Sequence, residues 1–104
     1  MTERFIKLAE LDEIRPGHLL KIQHEGVAYL LANVEGTIYA TDDLCSHEDA
    51  SLSTGALKGE CVSCPLHGSR FNVRTGEPIE NPATETIRTF PVRVENNKVM
   101  IRVD

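Results

Sequence analysis

No block of lysine or arginine runs along this chain, whose formal charge is -5 and whose pI is near 5.3, so a phosphate-binding surface is not expected and nucleic acid is excluded as a partner. The N-terminal Met1-Thr2-Glu3-Arg4-Phe5-Ile6-Lys7 is charged and has no apolar h-region. No apolar run elsewhere approaches the length of a membrane span. The expectation is a cytoplasmic protein with no membrane anchor. Repeats, low-complexity tracts and Ser/Gly linkers are also missing. Even a helical period of useful length is lacking, except from Leu8 to Ile14, where one helical turn could form. With 104 residues, 40% of them hydrophobic, the chain has material for one core, and a single domain over 1–104 is expected. Cysteine is scarce and odd in number, at three. A reducing cytosol disfavours structural disulfides, so the cysteines need another explanation.

What is present reads as β structure. Leu19–His24 and Val27–Ala32 flank Glu25-Gly26, and Thr37–Ala40 follows Glu35-Gly36, a three-stranded meander closed by short polar breaks. Pro91–Glu95 and Lys98–Val103 alternate apolar and polar residues around Asn96-Asn97, which tolerates the positive φ of a tight turn. The fold class is therefore all-β. Between the two sets of strands lies a loop-rich stretch, Thr41 to Asn81, that contains every cysteine and two of the four histidines. Loops held on such a scaffold commonly carry chemistry.

Within that stretch stand Cys45-Ser46-His47, then sixteen residues from Glu48 to Ser63, then Cys64-Pro65-Leu66-His67-Gly68-Ser69. Two thiolates and two imidazoles on two segments suit either tetrahedral zinc or an iron–sulfur centre of mixed ligation. A structural zinc module is the plainer alternative, and Cys61-Val62-Ser63-Cys64 even offers a C-x-x-C pair. Zinc ribbons and fingers, however, rarely use a C-x-H knuckle. Cys61 reads as a small core residue of the strand entering the second loop. A thioredoxin-like dithiol would need a βαβ context that is absent.

The pattern C-x-H, a gap of sixteen, then C-x-x-H followed by Gly-Ser resembles the Rieske 2Fe-2S motif. Ser51-Leu52-Ser53, Gly55 and Arg70-Phe71-Asn72-Val73-Arg74-Thr75-Gly76 extend the resemblance to Rieske ferredoxins of bacterial aromatic ring-hydroxylating dioxygenase systems. It implies a Rieske fold: an antiparallel β-sandwich basal domain with a small cluster-binding subdomain, about residues 42–82, made of two loops. It also implies one 2Fe-2S cluster per chain, with Cys45 and Cys64 on one iron and His47 and His67 on the other. Replacing two thiolates by neutral imidazoles makes the cluster less negative, which lifts such potentials to roughly -150 to +300 mV, against roughly -400 mV for plant-type clusters.

Departures from the high-potential members place this chain low in that range. Ala50 and Leu66 stand where those proteins carry a disulfide. Ser69 retains one hydroxyl donor, but Phe71 replaces a tyrosine. Gly68 permits a tight approach or simply a turn, and Pro82 resembles the family's proline loop while serving equally well as a turn residue.

The resemblance further implies a soluble one-electron carrier, not an enzyme, between an NAD(P)H-dependent ferredoxin reductase and a terminal oxygenase, with transient docking near His47 and His67. Asp42, Asp43, Glu48 and Asp49 place four negative charges beside the first ligand pair. They suit either a solvated face or a docking surface, and Arg70 and Arg74 offer an alternative set of docking charges. The competing readings are the Rieske-like small subunit of a cytoplasmic reductase, such as nitrite reductase, and the zinc module. A complete oxygenase would need two further histidines and a carboxylate for mononuclear iron. Only His18 and His24 remain, and both read as surface residues of the first hairpin.

Overall fold

A computed structural model gives the fold, and it describes residues 4–43, 51–64, 70–79 and 86–103. Among the described residues, ten strands form three antiparallel sheets. The first joins β1 (Phe5–Glu10), β10 (Lys98–Arg102) and β9 (Val92–Glu95), in that order. The second joins β2 (Leu19–His24), β3 (Val27–Val34), β4 (Thr37–Asp42) and β8 (Thr89–Phe90). The third joins β5 (Ala56–Lys58), β6 (Cys61–Ser63) and β7 (Arg70–Asn72).

The hairpin turns follow from their residues. Glu25-Gly26, Glu35-Gly36 and Asn96-Asn97 all adopt positive φ at both positions, from 50 to 96°. That geometry matches the right-handed twist of the strands they join. Buried Asn33 reinforces the second turn: its amide nitrogen donates to the carbonyl of Ile14 at 2.7 Å, and its Oδ1 accepts the Gly36 N–H at 2.7 Å.

The four-stranded sheet is the middle layer, because β3 is buried on both faces. Tyr29 and Leu31 point into a core with Ile38, Ala40, Val99 and Ile101, under the first sheet. Leu30 and Ala32 point the opposite way, into a core with Leu52, Val62, Cys64, Phe71, Val73 and Ile87, under the third sheet. Period-two alternation with apolar residues at both phases is what a doubly covered strand requires. The first two sheets form the expected basal sandwich, and the third adjoins the stretch expected to bind the cluster. Among the described residues no helix is long and apolar enough to cross a membrane.

One expectation is borne out in narrower bounds and one is corrected. Leu8–Glu10 belong to β1, which pairs with β10 from the far end of the chain with a bulge between Lys7 and Ala9; only Leu11–Glu13 form a helical turn, of the 3-10 type. Cys61 is not a core residue. In β6 it is Val62 that faces inward, fully buried, whereas Cys61 lies on the outer face and lines a shallow groove of about 280 Å³ with Ala56, Lys58, Ser63 and Arg70.

Candidate metal centre

Of the four expected ligands, Cys64 lies among the described residues; Cys45, His47 and His67 lie outside them, as do Glu48, Asp49, Ala50, Leu66, Gly68, Ser69 and Pro82. Cys64 follows β6 directly. Its side chain is 2% exposed, it packs in the core beneath the third sheet, and its thiol is in no disulfide. Cys61 and Cys64 thus face different surroundings, one an open groove and the other the core, and they do not act as a dithiol pair.

The anchors of the segments that contain the remaining expected ligands are well defined. Segment 44–50 leaves at Asp43 and returns at Ser51. The Leu52 N–H donates to the Asp43 carbonyl at 2.7 Å, the Ser53 N–H donates to Asp43 Oδ1 at 3.0 Å, and the Ser51 hydroxyl donates to Asp43 Oδ2. Segment 65–69 leaves beside Cys64 and returns at Arg70, where Ser63 and Arg70 are register partners across β6 and β7. Segment 80–85 leaves at Ile79, whose N–H donates to the Arg70 carbonyl at 2.7 Å, and returns before Ile87, whose N–H donates to the Gly76 carbonyl at 2.9 Å.

These three stalks are stitched to one another. Between the first and the second the contact is backbone on backbone: a Cβ on Gly55 would stand 1.8 Å from the Ser63 carbonyl oxygen, so only glycine fits. Gly76 has the same role against the Ile87 carbonyl oxygen, where a Cβ would stand at 2.2 Å. Joining first to third is the pair Asp42 and Arg88. The Arg88 guanidinium donates to both carboxylate oxygens at 3.0 to 3.2 Å, the Arg88 N–H donates to Oδ2 at 3.1 Å, and the Asp42 N–H donates to the Arg88 carbonyl at 3.0 Å. The hydrogen bonds and charge of Asp42 hold the Arg88 guanidinium above its ordinary pKa, as expected for a fork-to-carboxylate pair.

The acidic cluster divides accordingly. Asp43 is fully buried and Asp42 is engaged by Arg88, so neither presents a free charge to a docking partner. Sequence reasoning missed both roles because the partners of these residues are 8, 10 and 46 positions away. Phe71, by contrast, is fully buried, in the same core as Cys64. His18 is exposed, and His24 is half-buried with Nε2 3.7 Å from Glu25.

A free, buried thiol in an apolar wall, at the foot of stalks stitched to one another, defines a small β protein that can offer a soft donor to a metal centre. Comparison with known proteins makes the class specific. Residues 4–91 match the Rieske [2Fe-2S] domain, and the chain belongs to that family. It is 46% identical over 101 residues to the ferredoxin component of the naphthalene 1,2-dioxygenase system of Pseudomonas putida, covering 97% of both chains. It is 43% identical over 104 residues to the ferredoxin component of naphthalene 1,2-dioxygenase/salicylate 5-hydroxylase systems of a Ralstonia species, covering all of both chains. Among solved structures, it superposes with a TM-score of 0.90 on a chain of the complex of reduced oxygenase and oxidized ferredoxin in carbazole 1,9a-dioxygenase, at 34% identity, covering 94% of this chain and 92% of that one. The cofactor is thus a 2Fe-2S cluster, and the protein is an electron-transfer component, not an enzyme.

Proposed function

We propose that Cys45, His47, Cys64 and His67 hold the cluster, and that the protein passes single electrons from an NAD(P)H-dependent ferredoxin reductase to a terminal, aromatic ring-hydroxylating oxygenase in the cytoplasm. The observation that carries the reading is the free, buried Cys64 at the end of β6, on a stalk pressed against the one that leads to Cys45 and His47. When bound, the cluster supplies a one-electron couple whose potential is raised by its two neutral ligands. The chain's own residues do the rest. The stalks fix the ends of both ligand segments, and the apolar wall of Leu52, Val62 and Phe71 keeps water from the thiolate side. Phe71 offers no hydroxyl donor there, which favours a potential at the low end of the Rieske range.

Docking is taken to be transient and centred on His47 and His67, with Glu48, Asp49 and Arg74 as the candidate steering charges; Arg74 is exposed. The support for an oxygenase as acceptor is that both named relatives are components of oxygenase systems and that the solved complex pairs a ferredoxin with an oxygenase.

The test is reconstitution. Purified protein should be red-brown and, once reduced, give a rhombic EPR signal; Cys45→Ser and Cys64→Ser should each abolish both. Catalytic amounts should couple NADH oxidation by a ferredoxin reductase to turnover of a ring-hydroxylating oxygenase. A colourless protein isolated with zinc and without acid-labile sulfide would refute the ligand set. Stable copurification with a large reductase subunit would refute the carrier role.

A further inference from the structure

Asp43 is the one acidic residue among the described residues that is fully buried. Among the described residues, every group that meets its carboxylate is a donor: the Ser53 N–H on Oδ1, the Ser51 hydroxyl on Oδ2, and the Lys21 ammonium 3.8 Å from Oδ2. Such surroundings belong to an ionised carboxylate. Its main chain is equally tied, with the N–H donating to the Ala28 carbonyl at 3.3 Å and the carbonyl accepting from Leu52. A buried charge is costly and is retained where it has a use.

The compensation is incomplete. Lys21 extends from the edge strand β2 with a side chain 41% exposed, so its charge is largely solvated, while that of Asp43 is not. Asp42 next to it is neutralised by the two-pronged contact from Arg88. Asp43 therefore contributes a net negative field in a medium that screens poorly. Two residues further along the chain stands Cys45, within about 7 Å by Cα reach.

Resting on the ligand reading above, we propose that Asp43 is a positioning and potential-setting residue. Its buried carboxylate holds the segment that carries Cys45 and His47, and its charge makes addition of an electron to that site less favourable. Lys21 moderates the effect from the surface. The carboxylate oxygens serve the first role together with the carbonyl and amide of residue 43, and the charge alone serves the second, so removing the charge while keeping an acceptor separates the two.

The experiment compares midpoint potentials by EPR-monitored redox titration for the wild type, Asp43→Asn and Lys21→Met. Asp43→Asn keeps an acceptor for Ser53 and removes the charge, so the potential should rise. Lys21→Met removes a surface cation and leaves the buried bonds intact, so the potential should fall. Opposite shifts are not produced by a merely structural residue, whose loss would broaden the spectrum without ordering the potentials. A cluster-loaded Asp43→Asn at or below the wild-type potential overturns the proposal, as does Lys21→Met at or above it. If Asp43→Asn takes up no cluster, the Lys21→Met shift alone decides. Failure of the ligand reading is visible separately, as absence of the rhombic signal from the wild type.

Discussion

Gly55→Ala tests how the two stalks that lead to the proposed ligands are held together. An ideal Cβ at this position lies 1.8 Å from the Ser63 carbonyl oxygen, 3.0 Å from its carbon and 3.3 Å from the Leu52 carbonyl oxygen. All three are backbone atoms, so none can rotate aside. Because Gly55 has an ordinary φ of -84°, the cost is purely one of contact. Carbon and oxygen need about 3.2 Å, so the chains must part by about 1.4 Å, which breaks into the Ala56–Ser63 register that begins the β5–β6 ladder. Overpacking costs about 1–3 kcal/mol, and a lost ladder hydrogen bond costs about 1 kcal/mol more. A total of about 2–4 kcal/mol is less than the 5–15 kcal/mol typical of a domain, so the protein should fold but melt about 10–20 °C lower. The centre should suffer more than the fold, since Ser63 adjoins Cys64 and metal ligation tolerates only about 0.2 Å. Iron and acid-labile sulfide per chain, set beside thermal melting by circular dichroism, would measure both. Gly59→Ala is the control: nothing lies within 4 Å of its Cβ, although its φ of +59° is unfavourable for alanine, at about 1 kcal/mol. Full cluster content in Gly55→Ala, or equal cluster loss in Gly59→Ala, would refute the reasoning.

Leu30→Ala and Leu31→Ala each empty a fully buried site at about 2–5 kcal/mol, but on opposite faces of β3. Visible colour should bleach before the far-UV signal on heating Leu30→Ala and together with it in Leu31→Ala; the same order in both would count against separate cores. Arg88→Ala should lower the melting temperature by only a few degrees, because its side chain is 71% exposed and the pair is worth about 0.5–1 kcal/mol. Asp42→Ala, which also strips the acceptor from the Arg88 N–H, should cost about 1–2 kcal/mol, and equal losses would contradict the added role. Glu10 is held below the ordinary carboxylate value of 4.5, chiefly by its hydrogen bond from Lys7. The stabilisation is therefore complete above pH 4.5 and is lost as pH falls through the lower folded value, so the melting difference between wild type and Lys7→Met should vanish on acidification. His67→Cys would add a negative charge at the centre and should lower its potential; an unchanged or higher value would refute the charge argument.

The local parts of this fold were legible because their causes are local. Glu25-Gly26, Glu35-Gly36 and Asn96-Asn97 announce their turns by residue type alone, and the strands between them follow from alternation. Pairing of β1 with β10 was not legible: Phe5–Glu10 shows little alternation, and its partner lies at the far end of the chain. The same limit hid the stalks. A pair of adjacent aspartates before a ligand looks like a solvated charge run until Ser51, Ser53 and Arg88 are known to meet them. A serine spaced x-Ser-x-Ser after a short segment is a faint signal for a carboxylate anchor, and Asp42 gave none for an arginine 46 positions on. Cys61 was misplaced by one residue of phase, since nothing in Cys-Val-Ser says which face of a three-residue strand is covered.

Strand β3 explains why the third sheet behaves as part of the molecule and not as an appendage. Its apolar run Tyr29-Leu30-Leu31-Ala32 supplies one wall to each core, so the third sheet packs on the same strand that the basal sandwich packs on. The Ala28 carbonyl, at the start of that run, also receives the Asp43 N–H. The base of the first ligand segment is therefore pinned to the strand that organises everything else. Four donors drawn from two segments can be held to metal-ligand tolerance only if both segments start from fixed points. The continuous apolar character of β3 and the hydrogen bonds of buried Asp43 are two answers to that one demand, the first joining the two cores and the second fixing the point at which segment 44–50 begins.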